Sequence, residues 1–107
     1  MEKFKPHYFL VKLKKLFRDP KTRMVTDKAF SNAVSLGYTE VNRLIDVIEH
    51  LDNRNFYKAM TSYSDNKVWQ DVYKVIDDQN NKIYLKLQLS MDRKKAILIQ
   101  FKEDTGD

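Results

Sequence analysis

The sequence contains no cysteine. That excludes disulfides and thiolate zinc sites and fits a reducing compartment, so a cytoplasmic protein is expected. Histidine is almost as scarce: His7 and His50 are far apart in the chain and form no zinc motif. Ser62, Ser64 and Asp65 have no histidine near them, so a hydrolase triad is not expected. The only glycines are Gly37 and Gly106, too few for a glycine-rich loop that cradles phosphate. Asp77-Asp78 lacks calcium-site spacing and reads as a solvated turn. No metal or other cofactor is expected. No apolar run approaches the ~20 residues of a membrane span. The opening MEKFKPHYFLVKLKKLF is interrupted by lysines throughout its apolar part, unlike a signal peptide, so no membrane partner is expected.

What is present is a chain of 107 residues, 42% hydrophobic and 33% charged. That composition implies one soluble globular domain spanning 1–107, large enough for a real core. Charge is uneven. Residues 1–23 hold eight Lys/Arg against two acids, whereas residues 24–107 hold twelve against thirteen. The basic N-terminal segment would attract polyanions through long-range, salt-sensitive forces, or serve as a solvated helix face.

Helical periodicity comes first along the chain. Phe9, Leu10, Leu13, Leu16 and Phe17 recur at helical spacing, and Asp19-Pro20 ends that helix. Residues 22–25 fit a short edge strand. Thr26 is a candidate N-cap for a helix carrying Ala29, Phe30, Ala33 and Val34, which Gly37 stops. Thr39 is the expected cap of a third helix, with Val41, Leu44, Ile45 and Ile48 on its buried stripe. From Asn55 the period becomes two, with strands expected near 55–63, 67–75, 82–89 and 95–102. Ile83, Leu85, Leu87 and Leu89 share one face of the third of these, as Ile97, Ile99 and Phe101 do in the fourth. Tyr84, Lys86, Gln88 and Lys102 point the other way. The expected fold is α+β: N-terminal helices packed on a mostly antiparallel β-sheet.

The second face of that sheet carries the chemistry. Lys58, Gln70, Lys74, Tyr84 and Lys102 gather cations, an amide and a phenol with few carboxylates, as a phosphate site would. Met60 shares the parity of Lys58. Cleaving RNA without a metal needs a base for the 2′-hydroxyl, cations for the phosphorane and an acid for the leaving 5′-oxygen. Lysines serve the second need directly. A lysine serves the first only if its pKa falls well below ~10.4, which repulsion among Lys58, Lys74 and Lys102 would favour. Tyr57, Trp69 and Tyr73 are candidates for stacking on bases, but Trp69 and Tyr73 have the parity opposite to Gln70 and suit the core better.

These residues carry a resemblance. FYKAMTSYSDNKVWQDVYK, with PHYFLVKLKKL before it and KIYLKLQLS and ILIQFKE after it, is similar to the motility quorum-sensing regulator (MqsR) toxins. The resemblance covers nearly the whole chain in the same order. It implies a RelE-like fold, and a type II toxin–antitoxin mRNA interferase that cuts mRNA at GCU-type triplets without ribosome or metal. It also implies a cognate antitoxin with zinc-binding and helix-turn-helix domains. Residue by residue, it makes Lys58, Gln70, Tyr84 and Lys102 catalytic and places Met60 and Lys74 at the substrate surface. Two departures stand out. Position 74 is Lys where the family often has Arg, which turns a bidentate grip into a point charge. The hairpin Ser90–Ala96 is longer and lacks a histidine that the family can carry there.

Two rival readings come from other classes. A gyrase-poison toxin of the ParE type would leave Lys58 and Tyr84 dispersed or structurally paired. A non-catalytic RNA-binding module would need the basic N-terminal helix but no partnership between Gln70 and Tyr84.

Overall fold

The computed structural model describes residues 1–106. Three helices, α1 (Leu10–Arg18), α2 (Asp27–Ser35) and α3 (Val41–Glu49), pack on a sheet of six strands. The strands are β1 (Glu2–Lys3), β2 (Arg23–Val25), β3 (Phe56–Thr61), β4 (Trp69–Ile76), β5 (Lys82–Leu89) and β6 (Ala96–Glu103). Their order is β1-β3-β4-β5-β6-β2. Every neighbour pair is antiparallel except β2 with β6. This is the expected α+β class, with β2 at the edge foreseen for residues 22–25. Among the described residues no helix is long and apolar enough to cross a membrane.

The helices cover one sheet face. Leu13 and Phe17 of α1, Ala29 and Ala33 of α2, and Leu44 and Ile48 of α3 are buried against Tyr73, Leu85, Leu98 and Phe101. Local chemistry sets the helix ends. The Thr26 hydroxyl accepts from Ala29 N–H at 3.1 Å and donates to the Ile99 carbonyl at 3.0 Å, so one side chain caps α2 and ties it to β6. Gly37, at φ 91°, turns the chain so that Tyr38 N–H reaches the Ala33 carbonyl at 3.0 Å. Asp77 organises the β4–β5 turn, accepting from Gln79 and Asn81 N–H at 2.9 and 2.7 Å and from the Tyr38 hydroxyl. The Asp77-Asp78 turn is thus structural rather than only solvated.

Four local expectations need correction. Phe9 is 82% exposed and precedes α1 instead of joining its buried stripe. Phe30, Val34 and Val41 are also exposed, because each nine-residue helix buries only its narrow inner stripe. Glu40, not Thr39, is the N-cap residue of α3, and no side chain caps it. On β6 the buried residues are Ala96, Leu98 and Phe101, not Ile97 and Ile99. The cause is a β-bulge. Lys86 pairs with Gln100 but Leu87 pairs with Leu98, so Ile99 is an extra residue and parity reverses before it. Lys102 lies beyond the bulge and keeps its expected face.

Buried Tyr73 carries a hydroxyl with no hydrogen-bond partner among the described residues. Burial pushes its pKa up. An unsatisfied buried hydroxyl costs about 1–3 kcal/mol. Tyr73→Phe is therefore expected to leave the melting temperature unchanged or raise it by a few degrees, read by thermal denaturation; a drop would mean that the hydroxyl is satisfied in solution.

Candidate active site

Strand pairing decides which side chains meet, because residues directly opposite across a ladder share a face. Lys58, Val72, Lys86 and Gln100 form one row across β3 to β6. Lys74, Tyr84 and Lys102 form a second. Glu2, Met60 and Gln70 form a third. All six sequence-designated residues therefore lie on the face away from the helices. The neighbouring row of Tyr73, Leu85 and Phe101 faces the core.

A groove of about 240 Å³ runs over this face and brings Lys58, Met60, Tyr84 and Lys102 together with Glu2 and Lys86. Gln70 and Lys74 lie on the same face but outside its lining. Buried Gln70 donates its amide to the Gln88 carbonyl at 2.9 Å. The Lys74 ammonium sits 3.4 Å from an Asp104 carboxylate oxygen and 4.0 Å from the centre of the Tyr57 ring. A bulge between Phe56 and Lys58 admits Tyr57 as an extra residue. Its ring consequently lies within 5.6 Å of the Lys58 ammonium. Of the aromatic residues considered for base stacking, Tyr57 is on this surface, Tyr73 is in the core, and Trp69 stacks on His7 with ring centres 5.3 Å apart.

The electrostatics divide the cations by role. Lys58 Nζ donates to Glu2 Oε2 at 2.6 Å, and that bond holds the Lys58 pKa above its ordinary value. Lys58 is thus an ammonium at neutral pH: a donor and a charge, not a base. The depressed lysine pKa expected from repulsion falls instead on Lys86, through burial first and then Lys102 and Lys58. Burial also raises the Tyr84 pKa, so its phenol keeps its proton at neutral pH and can donate it. The Lys102 ammonium lies 5.0 Å from the centre of the Tyr84 ring. Converging ammonium groups around one phenol can hold a phosphodiester, stabilise added negative charge and protonate a leaving oxygen.

The edge of this site is held from the core side. The buried Asp71 carboxylate accepts N–H bonds from His7 at 3.0 and 3.1 Å and from Tyr8 at 2.9 Å. Tyr8 O–H donates to the Trp69 carbonyl at 2.7 Å. Lys3 stands 4.2 Å over the Trp69 ring. The Trp-Gln-Asp run thus does two jobs: Trp69 and Asp71 pin the N-terminal segment, and Gln70 faces the site. The N-terminal charge is divided as well. Helix α1, with Lys12, Lys14 and Lys15, packs on the opposite side of the sheet from the groove, since its Leu13 and Phe17 join the core.

Sequence reasoning did not designate Glu2 or Lys86, and named Tyr57 only as a candidate for stacking on bases. Lys86 was signalled by its parity with Tyr84; Glu2 and Tyr57 depend on a short edge strand and a bulge that carry no periodic signature. A larger hollow of about 470 Å³ lies elsewhere, between Tyr38, Arg43, His50 and Asp77. Asp77 and Tyr38 shape the β4–β5 turn, Arg43 donates to the Gly37 carbonyl, His50 bonds the Asp46 carbonyl, and the hollow lacks a cluster of cations.

Comparison with known proteins accords with the geometry. Residues 5–103 match the family described as "Motility quorum-sensing regulator, toxin of MqsA". The chain is also 38% identical over 105 residues to the "mRNA interferase toxin MqsR" of Escherichia coli (strain K12), covering 96% of this chain and 99% of that protein. The chain belongs to the motility quorum-sensing regulator toxin family.

Proposed function

We infer that this protein is the toxin of a toxin–antitoxin system, acting in the cytoplasm as a single domain and as an endoribonuclease on mRNA. The observation that carries the reading is that Lys58, Lys86, Lys102 and Tyr84 line one groove. In the proposed reaction the RNA 2′-hydroxyl attacks the adjacent phosphate. Lys58 and Lys102 stabilise the charge that develops there. Tyr84 gives its proton to the leaving 5′-oxygen. Gln70, fixed by Gln88, orients the RNA, while Met60 and Lys74 line its path. The products are a 2′,3′-cyclic phosphate and a 5′-hydroxyl.

The reaction is proposed to proceed without metal or ribosome, at GCU-type triplets. Among the described residues no three His, Cys, Asp or Glu side chains are grouped to hold a metal. The proposed partner is an antitoxin with zinc-binding and helix-turn-helix domains that covers the groove or adds a strand to an exposed sheet edge. The test is single-turnover cleavage of naked GCU-containing RNA in EDTA, with both new ends mapped. Cleavage at GCU with cyclic-phosphate ends is expected. Strict dependence on magnesium, or on ribosomes, would overturn the mechanism, and RNA left intact under every condition would favour the gyrase-poison alternative.

A further inference from the structure

The reaction as described lacks one participant, the acceptor of the 2′-hydroxyl proton. We propose that Glu2 is that general base, held in the groove by β1 and aimed by Lys58. The inference rests on the groove being the cleavage site.

The argument begins with the strap that carries Glu2. Two residues make a poor strand by themselves. Here β1 is fixed on several sides. Glu2 pairs with Met60 and Lys3 with Ala59 across β3. The Met1 amine donates to the Thr61 hydroxyl at 3.1 Å, and Thr61 N–H donates to the Met1 carbonyl at 3.0 Å. Alternation then sends Lys3 to the Trp69 side and Glu2 into the groove. Its carboxylate ends 2.6 Å from the Lys58 ammonium.

Elimination among the groove residues narrows the choice: Lys86, whose pKa burial lowers, is the rival base, but Glu2 is the group that a hydrogen bond aims. Lys58 stays protonated because of Glu2 itself. Tyr84 keeps its proton. Asp104 is engaged by Lys74 and by Gly106 N–H. Glu103 is paired with the core residue Ile83 and so has the opposite parity. Glu2 is ionised at neutral pH, because the Lys58 hydrogen bond pulls its pKa below the ordinary carboxylate value. One Glu2 oxygen bonds Lys58, and the other is available to a substrate hydroxyl. The proton passes from the 2′-oxygen to Glu2, the 2′-oxygen bonds phosphorus, the P–O5′ bond breaks, and Tyr84 protonates the departing oxygen. The Glu2 proton returns to solvent and Tyr84 regains its own from solvent, so charges and atoms balance. Lys58 then has two tasks, orienting the base and neutralising the phosphorane.

The test is the pH dependence of kcat/KM for Glu2→Gln, Glu2→Asp and Lys58→Ala on the same RNA. Wild type is expected to lose activity at acid pH along a limb lying below the usual carboxylate range. Glu2→Gln should be slower by about 10²–10⁴ and lack that limb. Glu2→Asp should retain the limb at reduced rate. The fold should persist in all, since a partly exposed ion pair contributes little to stability. Three outcomes overturn the proposal: full activity of Glu2→Gln; faster cleavage or tighter RNA binding, which would make Glu2 a mask that competes with phosphate; or a slow variant that keeps the acidic limb, which would point to another base such as Lys86. Lys58→Ala separates the two levels. If it is inactive while Glu2→Gln is fully active, the groove stands and the base falls. If both are fully active, the cleavage site itself is misplaced.

Discussion

Lys58→Ala is expected to reduce single-turnover RNA cleavage by about 10²–10³, the usual cost of losing a preorganised donor to developing negative charge. Cell toxicity should fall in parallel. Melting temperature should change little, because the backbone ladder of β3 with β1 and β4 does not depend on the side chain. The variant also affects its neighbour. Hydrogen bonding to Lys58 is the largest cause of the lowered Glu2 pKa. Without it, Glu2 should return toward the ordinary carboxylate value of ~4.3. The acidic limb of whatever activity remains should then move to higher pH. Lys58→Arg keeps the charge but offers a planar fork in place of a compact ammonium, so partial activity is expected. Near-normal cleavage by Lys58→Ala would remove the groove from consideration as the site of chemistry.

The parts of this site differ in how openly the sequence declares them, and geometry explains the difference. Strand β5 alternates cleanly from Ile83 to Leu89, so the face bearing Tyr84 and Lys86 follows from its pattern alone. Strand β6 reads as equally regular, yet the extra residue at Ile99 reverses its first half. A bulge is a property of two paired strands and leaves no mark on the periodicity of one. The same holds for Tyr57, which reaches the site through the bulge beside Lys58. Strand β1 spans a single period of alternation and forms only because the chain returns to β3, 56 residues later at the Glu2–Lys58 contact. The lysine pKa values differ from expectation for a related reason. Counting lysines on one face predicts mutual repulsion, but a carboxylate arriving from the edge reverses the outcome for Lys58 and leaves the repulsion with Lys86. The designated residues were legible because they occupy ordinary strand positions; what pairs with them was not.

Lys86 offers the second large effect, and it has two signs. The residue is 9% exposed, in the centre of the sheet between Val72 and Gln100, and no carboxylate among the described residues is in ion-pair contact with it. Burial disfavours its charged form, and Lys102 and Lys58 add to the cost. A buried unpaired cation destabilises a fold, and replacing it with an apolar side chain of similar length should stabilise the protein. Lys86→Met is expected to gain on the order of 1 kcal/mol at pH 7, about 4–8 °C in melting temperature for a domain of this size. It should also lose roughly tenfold to a hundredfold in cleavage rate, since a cation facing the phosphate is gone. The pH dependence follows from linkage. A folded-state pKa below the unfolded one means that the unfolded chain binds more protons between the two values, so Lys86 destabilises less as pH rises through that window. The advantage of Lys86→Met over wild type should therefore be largest near neutrality and shrink toward pH ~10.4, the ordinary lysine value. A variant that is less stable at neutral pH would mean that Lys86 has a partner in solution, and one that is more stable yet fully active would remove it from the catalytic surface.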